Sequence, residues 1–138
     1  MTDCESMTNR IVAVVVTYEP DPEVLKTLLH AVAPQVGAVV IVDNGSKIDF
    51  SYLNCEQPSG RAVTAIRLTE NKGIAAAQNI GITEAIRRNA EYVLFLDHDS
   101  IPAPDMVEKL LLASRELTLA GKKIAAAGPR YRIPNTNY

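Results

Sequence analysis

Four short apolar runs divide this sequence, and each is followed by polar residues. The runs are rich in β-branched and aromatic residues; they are Arg10–Thr17 (RIVAVVVT), Ala38–Val42 (AVVIV), Ala62–Leu68 (AVTAIRL) and Tyr92–Leu96 (YVLFL). The first two are continuous, which predicts strands buried on both faces of a parallel sheet, because a half-exposed strand would alternate apolar and polar residues. The other two predict a third and a fourth strand, and Lys123–Ala127 is a candidate fifth.

Helical spacing of apolar residues separates several of these strands. It predicts one helix that follows Pro20 and Pro22 and ends at Pro34, a second at about Ile74–Asn89 and a third at about Asp105–Leu119. Alternation of strands and helices predicts an α/β fold with a mostly parallel, doubly wound sheet flanked by helices and right-handed crossovers. We expect a single domain over residues 10–138, preceded by a flexible leader at residues 1–9.

Charge, hydropathy and cysteine usage exclude several classes of protein. The net charge is −2 and the Lys and Arg residues are scattered, so no basic face is available for nucleic acid. The longest apolar stretch, Ile11–Val16, is much shorter than the roughly 20 residues of a membrane span. Cys4 and Cys55 stand far apart and indicate neither a zinc site nor a disulfide framework. We therefore expect a soluble cytoplasmic chain without a transmembrane segment.

The polar clusters stand where a predicted strand ends or the next helix begins. They are Thr17-Tyr18-Glu19, Asp43-Asn44-Gly45, Asn71-Lys72-Gly73 and Asp97-His98-Asp99. Open α/β sheets bind ligands outside the carboxyl ends of their strands. The sequence therefore predicts that the four clusters converge in one crevice.

Asp97 and Asp99 carry the sharpest chemical signal. Along an extended chain a spacing of two residues points both carboxylates the same way, and two adjacent like charges are costly without a cation. Mg²⁺ and Mn²⁺ favour carboxylate oxygen together with substrate phosphate, so the pair predicts a metal–diphosphate site. The alternative is structural: Asp97 and Ser100 cap the next helix, and Asp99 is a solvated loop residue.

Two further clusters allow both a functional and a structural interpretation. Asp43 could accept hydrogen bonds from a base or ribose, or could only close an Asx turn. Lys72 and Gly73 precede a helix whose free amides favour an anion, although Asn71 alone could be its N-cap. Gly81 weakens the Ala-rich second helix, which indicates either close packing or a ligand nearby.

Several enzyme classes lack their motifs here. The sequence has no GxxxxGK[ST] phosphate loop, no GxGxxG fingerprint and no GxSxG elbow. A non-catalytic nucleotide-binding or receiver-like regulatory domain, with Asp43 as acceptor, is the alternative to an enzyme. A sugar nucleotidyltransferase would carry a Gly-rich loop after the first strand, and TYEPDPEV has none.

Taken together, four segments resemble the donor-binding half of family-2 glycosyltransferases with the GT-A fold. The segments are VVVTYEP, IVDNGS, NKGIAAAQNIGI and YVLFLDHDSIP, and the resemblance runs from about Arg10 to Tyr131. The DxD within LFLDHDS and the Gln-Asn-x-Gly helix are most similar to bacterial rhamnosyltransferases that use a dTDP-linked sugar.

The resemblance implies a role for each matching residue. Thr17, Tyr18 and Glu19 would line the base pocket, and Asp43 would contact the base or ribose. A second set flanks the nucleotide and its diphosphate or supports the site from a helix: Asn71, Lys72, Gly73 and Asn79. Asp99 would bind Mg²⁺ or Mn²⁺ directly, and Asp97 would contact the ribose or a metal-bound water.

The resemblance also implies partners and an activity. The donor would be a nucleotide-diphosphate sugar such as dTDP-rhamnose, and the acceptor a cell-surface polysaccharide, another saccharide or a lipid-linked molecule. Inverting members take their general base from a segment well beyond the DxD, and this chain ends at Tyr138. We therefore expect the chain to hold the donor site and to transfer no sugar unaided, with the full-length protein in the cytoplasm or at the inner face of the membrane.

Overall fold

The computed structural model describes residues 7–48 and 62–130. The chain divides into two compact units between Pro104 and Asp105, and the single domain over residues 10–138 stays a prediction. Two prolines, Pro102 and Pro104, precede that boundary, and proline lacks the N–H that would continue a regular element. The first unit contains the sheet and two helices, and the second contains one helix.

The sheet has four parallel strands, as the apolar runs predict. These are β1 (Ile11–Thr17), β2 (Ala38–Asp43), β3 (Ala62–Arg67) and β4 (Tyr92–Asp97), in the order β3-β2-β1-β4. The doubly wound prediction is confirmed, since the chain moves outward from β1 through β2 to β3 and then crosses to the other side of β1 with β4. The strand order reverses between β1 and β4, and doubly wound sheets bind their ligands at such a position.

This strand order excludes the receiver-like alternative. Receiver-like sheets have the order 2-1-3-4-5, with the first strand between the second and the third. Here β1 lies between β2 and β4, and β3 lies beyond β2. The side chain of Asp43, the acceptor in that alternative, is also fully buried.

The first unit contains helices α1 (Pro22–Val32) and α2 (Ile74–Arg87), and the second contains α3 (Met106–Leu119). Helix α1 begins at Pro22, a proline in the first helical position, where its missing N–H costs nothing. The carboxylate of Asp21 caps it by accepting from the amides of Glu23 and Val24 at 2.9 and 3.2 Å. A single 3-10 turn, Ala33–Gln35, completes this crossover.

The core lies around β1 and β2, whose side chains are almost all buried. Helix α2 covers one face of these strands, and Gly81 allows it to approach. A Cβ atom placed on Gly81 would lie only 2.3 Å from Cγ1 of Val14. Close packing therefore accounts for this glycine. At the edge of the sheet β4 is more open, and Phe95 is 43% exposed.

Two predictions about the ends of the chain need correction or qualification. Lys123–Ala127 forms no strand: α3 closes at Gly121 with φ +78°, and the described sheet contains no fifth strand to pair with this segment. Residues 1–6 of the predicted leader lie outside the described residues. Its last residue, Asn9, lies so close to Gly37 that a Cβ there would be 2.2 Å from the Asn9 carbonyl oxygen.

None of the helices within the described ranges combines the length and the apolar character needed to cross a membrane.

Candidate functional site

The register of the sheet brings the strand ends into one row. Asp43 is level with Thr17 of β1 on one side and with Arg67 of β3 on the other. Asp97 is level with Val16, one residue before Thr17. Because neighbouring strands lie about 4.8 Å apart, Asp43 and Asp97 are separated by two strand spacings, or about 10 Å.

Asp43 lies at the centre of a buried polar network. Its Oδ1 accepts hydrogen bonds from the hydroxyl of Thr17 at 3.1 Å and from the hydroxyl of Ser46. Its Oδ2 accepts from the backbone N–H of Ser46 at 3.1 Å and pairs with Nε of Arg67 at 3.6 Å. The carboxylate is fully buried, and these partners occupy about as many directions as its four lone-pair sites allow. A direct contact between Asp43 and a base or ribose stays a prediction.

Glu19 and Tyr18 stand at the rim of this network. The backbone N–H of Glu19 donates to the hydroxyl of Ser46 at 2.7 Å, and its carboxylate accepts from the N–H of Lys47 at 2.8 Å. Glu19 adopts φ 45°, a left-handed conformation that non-glycine residues rarely take. The Tyr18 ring is half exposed. The loops that follow β1 and β2 are thus joined to each other, with an aromatic side chain open to solvent beside them.

The side chain of Asn44 joins the loop after β2 to the segment before α2. Its Nδ2 donates to Oδ1 of Asn71 at 3.0 Å, and its Oδ1 accepts from the N–H of Lys72 at 2.9 Å. Asn71 Oδ1 also accepts from the N–H of Gly73 at 2.9 Å. The two asparagines therefore fix the position of the Asn71–Gly73 segment relative to β2.

Gly73, and not Asn71, is the N-cap of α2. No side chain caps this helix, so its first amides are available to an anion. Gly73 has φ +85°, and a Cβ atom placed on it would meet nothing within 4 Å. The space in front of the helix is therefore open, as a site for a phosphate group would require.

Asp97 and Asp99 occupy different backbone environments. Asp97 is the last residue of β4, and the chain turns immediately after it, with the N–H of Ser100 donating to the Asp97 carbonyl at 3.1 Å. Asp99 lies in that turn. The prediction that both carboxylates point the same way assumed an extended chain, so it does not apply to Asp99. The capping alternative is also wrong, because the next helix is capped at Asp105, beyond Ser100.

Both carboxylates are exposed, so both are accessible to a metal ion, and metal binding by this pair stays a prediction. The described part of the chain contains no group of three or more His, Cys, Asp or Glu side chains that could enclose an ion by themselves. Mg²⁺ rarely needs such a group, since it retains waters and takes one or two carboxylates together with substrate phosphates. Asp97 and Asp99 therefore fit an ion whose coordination the donor diphosphate would complete.

Asn79 lies apart from these bonded networks. It is exposed on α2, where its carbonyl oxygen accepts from the hydroxyl of Thr83 at 2.9 Å. Its role as a support for the site stays a prediction.

Sequence reasoning missed three residues of the site: Asn44, Ser46 and Arg67. Asn44 and Ser46 were within the recognised IVDNGS segment but were assigned no contacts. Arg67 was treated as part of an apolar strand. A charged residue at the carboxyl end of an otherwise apolar strand was the available signal, and the register with Asp43 explains it.

Both the sequence and the fold match known proteins. Residues 12–133 match the model of the family described as "Glycosyl transferase family 2". The dTDP-rhamnosyl transferase RfbF of Shigella flexneri is 38% identical over 104 residues, which cover 75% of this chain and 34% of that protein.

The fold is similar to that of S. aureus TarS. The crystal structure of TarS residues 1–349 superposes with a TM-score of 0.61 at 20% identity, covering 78% of this chain and 33% of that one. A second crystal structure of TarS gives a TM-score of 0.60 at 21% identity, covering 78% of this chain and 20% of that one. The predicted GT-A type of fold is confirmed. The chain spans about a third of the length of RfbF.

Proposed function

Because this chain belongs to glycosyl transferase family 2, we propose that it binds a nucleotide-diphosphate sugar and takes part in transferring that sugar to a saccharide or lipid-linked acceptor. The observation that carries the proposal is the row of polar strand ends. This row extends from a buried network around Asp43 to the exposed carboxylates at the end of β4. It includes the position between β1 and β4 at which the strand order reverses.

The ends of β1, β2 and β3 would hold the nucleoside. Tyr18 offers a half-exposed aromatic ring on which a base can stack. Asp43 bonds to Thr17 and Ser46, and Ser46 bonds in turn to Glu19 next to Tyr18, so these residues fix the backbone on which the ring is carried. Hydrogen bonds within the protein join these loops to one another, so binding would require little further ordering of the protein.

The start of α2 and the end of β4 would hold the diphosphate. The uncapped amides of α2, with Lys72 beside them, favour an anion. Asp97 and Asp99 would hold Mg²⁺ or Mn²⁺ against the same diphosphate. When bound, such an ion supplies Lewis-acid stabilisation for the charge that develops on the leaving group.

We propose dTDP-rhamnose as the donor, because RfbF is a dTDP-rhamnosyl transferase and is 38% identical over the matched segment. Inverting transfer also requires a general base within hydrogen-bond reach of the acceptor hydroxyl. The carboxylates of the crevice are already assigned to the network and to the metal, so we assign that role to no residue of this chain.

Calorimetric titration of the chain with dTDP and UDP, in Mn²⁺, Mg²⁺ and EDTA, tests the proposal. We expect binding that is at least tenfold tighter with a divalent ion than in EDTA, because two carboxylates and a diphosphate repel one another until a cation bridges them. Asp97→Asn should reduce the metal dependence, and Glu108→Gln, an exposed change on α3, is the matched control.

Each outcome bears on a different part of the proposal. Equal affinity in EDTA and Mn²⁺ would refute the metal site but leave the donor site standing. Absence of binding to either nucleotide under all three conditions would refute the donor site.

A further inference from the structure

Three contacts of Arg67 within the described residues meet at the loop after β2. Its Nε pairs with Oδ2 of Asp43 at 3.6 Å, and its Nη2 donates to the carbonyl oxygens of Ser46 and Ile48, both at 3.0 Å. We propose that Arg67 is a positioning residue for the nucleoside half of the donor site: it fixes the loop after β2 and so sets affinity for the nucleoside. The inference rests on the proposed function and extends it to a residue with no role assigned above.

The geometry of these contacts depends on an arginine. A guanidinium presents its donors in a rigid planar fork, so one side chain can bind a carboxylate and two carbonyls at once. Ser46 is consequently held on both sides: its N–H and hydroxyl donate to Asp43, and its carbonyl accepts from Arg67. The hydroxyl of the same serine accepts from Glu19, so the restraint reaches the loop after β1.

The electrostatics point the same way. Asp43 is fully buried, and a buried carboxylate is costly unless a cation and hydrogen-bond donors compensate it. Arg67 supplies that cation while about half of its own side chain stays in water. Replacing it with a neutral residue would leave Asp43 without its charge partner and would release the two carbonyls together.

The position of Arg67 makes its effect selective. It lies at the end of β3, at the opposite edge of the sheet from β4. Asp97, one of the two residues proposed for the metal, is three strand spacings away, or about 14 Å. Loss of Arg67 should therefore weaken recognition of the nucleoside and leave Mn²⁺–diphosphate binding almost unchanged.

The experiment compares three variants of the chain by calorimetry in Mn²⁺, with dTDP and with inorganic diphosphate as probes. Arg67→Gln removes both the positive charge and the planar guanidinium group, whereas Arg67→Lys keeps the positive charge alone. Arg88→Gln is the control, because Arg88 also bonds to β3, with Nη2 on the Thr64 hydroxyl at 2.8 Å, but within the strand and away from the end that Arg67 occupies. Thermal melts of all variants accompany the titrations.

We expect Arg67→Gln to weaken dTDP binding by about tenfold or more and diphosphate binding by less than about twofold. Arg67→Lys should fall between Arg67→Gln and the unchanged chain, and Arg88→Gln should bind both probes normally. If Arg67→Gln does not fold, Arg67→Lys carries the test, since it should weaken dTDP binding several-fold without unfolding.

Three results would overturn the inference. They are normal dTDP affinity in the Arg67 variants, an equal loss of dTDP affinity in Arg88→Gln, and an equal loss of dTDP and diphosphate binding in Arg67→Gln. Failure of the unchanged chain to bind any nucleoside diphosphate would instead refute the proposed function on which the inference rests.

Discussion

The two ends of the proposed donor crevice are built differently. At the ends of β1, β2 and β3, buried polar groups bond to one another, with Asp43 held by Thr17, Ser46 and Arg67. At the end of β4, the exposed Asp97 and Asp99 stand on either side of a turn. The first region satisfies its charges within the protein, and the second leaves its charges to solvent or to an ion.

The buried end is preorganised by its own bonds, whereas the exposed end is suited to the recognition of charge. Buried polar groups must be paired, and once paired they fix the loops that carry them. Exposed carboxylates contribute little to folding and remain available to a cation. Substitutions at the two ends should therefore affect different properties: stability at the buried end and metal-dependent binding at the exposed end.

The largest effect on stability is expected from Asp43→Ala. The change leaves the buried hydroxyl of Thr17 and the N–H of Ser46 without an acceptor, and removes the charge partner of Arg67. Each of these two buried donors costs about 1–3 kcal/mol when it has no acceptor, whereas loss of the ion pair adds little, because the Arg67 side chain is half exposed. Urea denaturation, with the free energy of unfolding extrapolated to water, measures the loss.

Asp97→Ala is the matched comparison for that measurement, because it removes a carboxylate from the end of β4, two strands away from β2 in the same sheet. We expect a change in unfolding free energy within about 0.5 kcal/mol, as for exposed positions generally. Equal losses for the two variants would show that the ends of the crevice do not differ in the way their bonding indicates.

A smaller effect is expected at the glycines of the two loops. Gly45 and Gly73 both have a left-handed φ, +88° and +85°, so an alanine is strained at either position. At Gly45 the added Cβ would also lie 2.6 Å from the carbonyl carbon of Glu70, whereas at Gly73 it would meet nothing within 4 Å.

We therefore expect Gly45→Ala to cost about 3 kcal/mol and Gly73→Ala about 1–2 kcal/mol of unfolding free energy. Thermal denaturation of the two variants in parallel gives the difference. If Gly73→Ala were the more destabilising, the space in front of α2 would not be as open as the structure places it.

The sequence predicts the fold correctly, and it predicts the edge of the sheet at which the polar clusters lie. The runs at β1 and β2 are continuous and β-branched, which leaves little choice but a buried parallel strand. Polar clusters at strand ends then predict a crevice, because parallel strands end at one edge of the sheet. Lys123–Ala127 is apolar after its lysine, but it has one β-branched residue and three alanines, which are poor strand formers, and it forms no strand.

The bonds within the site could not be predicted in the same way. Arg67 meets Asp43 only because β3 pairs with β2 in one particular register, and register is a property of two segments together. For Asp99 the local pattern misleads. A spacing of two residues places Asp97 and Asp99 on the same side only in an extended chain, and the chain turns after Asp97. Local pattern gave the positions of these residues, whereas tertiary pairing determined their partners.

The smallest effect on stability is expected from Asp99→Ala, which tests the exposed end most directly. Asp99 lies in a turn after β4 and is exposed, so its removal loses no buried apolar contact, and it relieves repulsion with Asp97 in the metal-free chain. The melting temperature without metal should stay the same or rise slightly, while Mn²⁺-dependent dTDP binding should be lost. A structural role would give the opposite pair of results, because a lost cap or turn bond costs about 0.5–2 kcal/mol and leaves ligand affinity intact. Calorimetry and a thermal melt on the same preparation separate the two. A lower melting temperature with unchanged Mn²⁺-dependent binding would remove Asp99 from the metal site, and with it the contrast between a preformed end and an ion-dependent end.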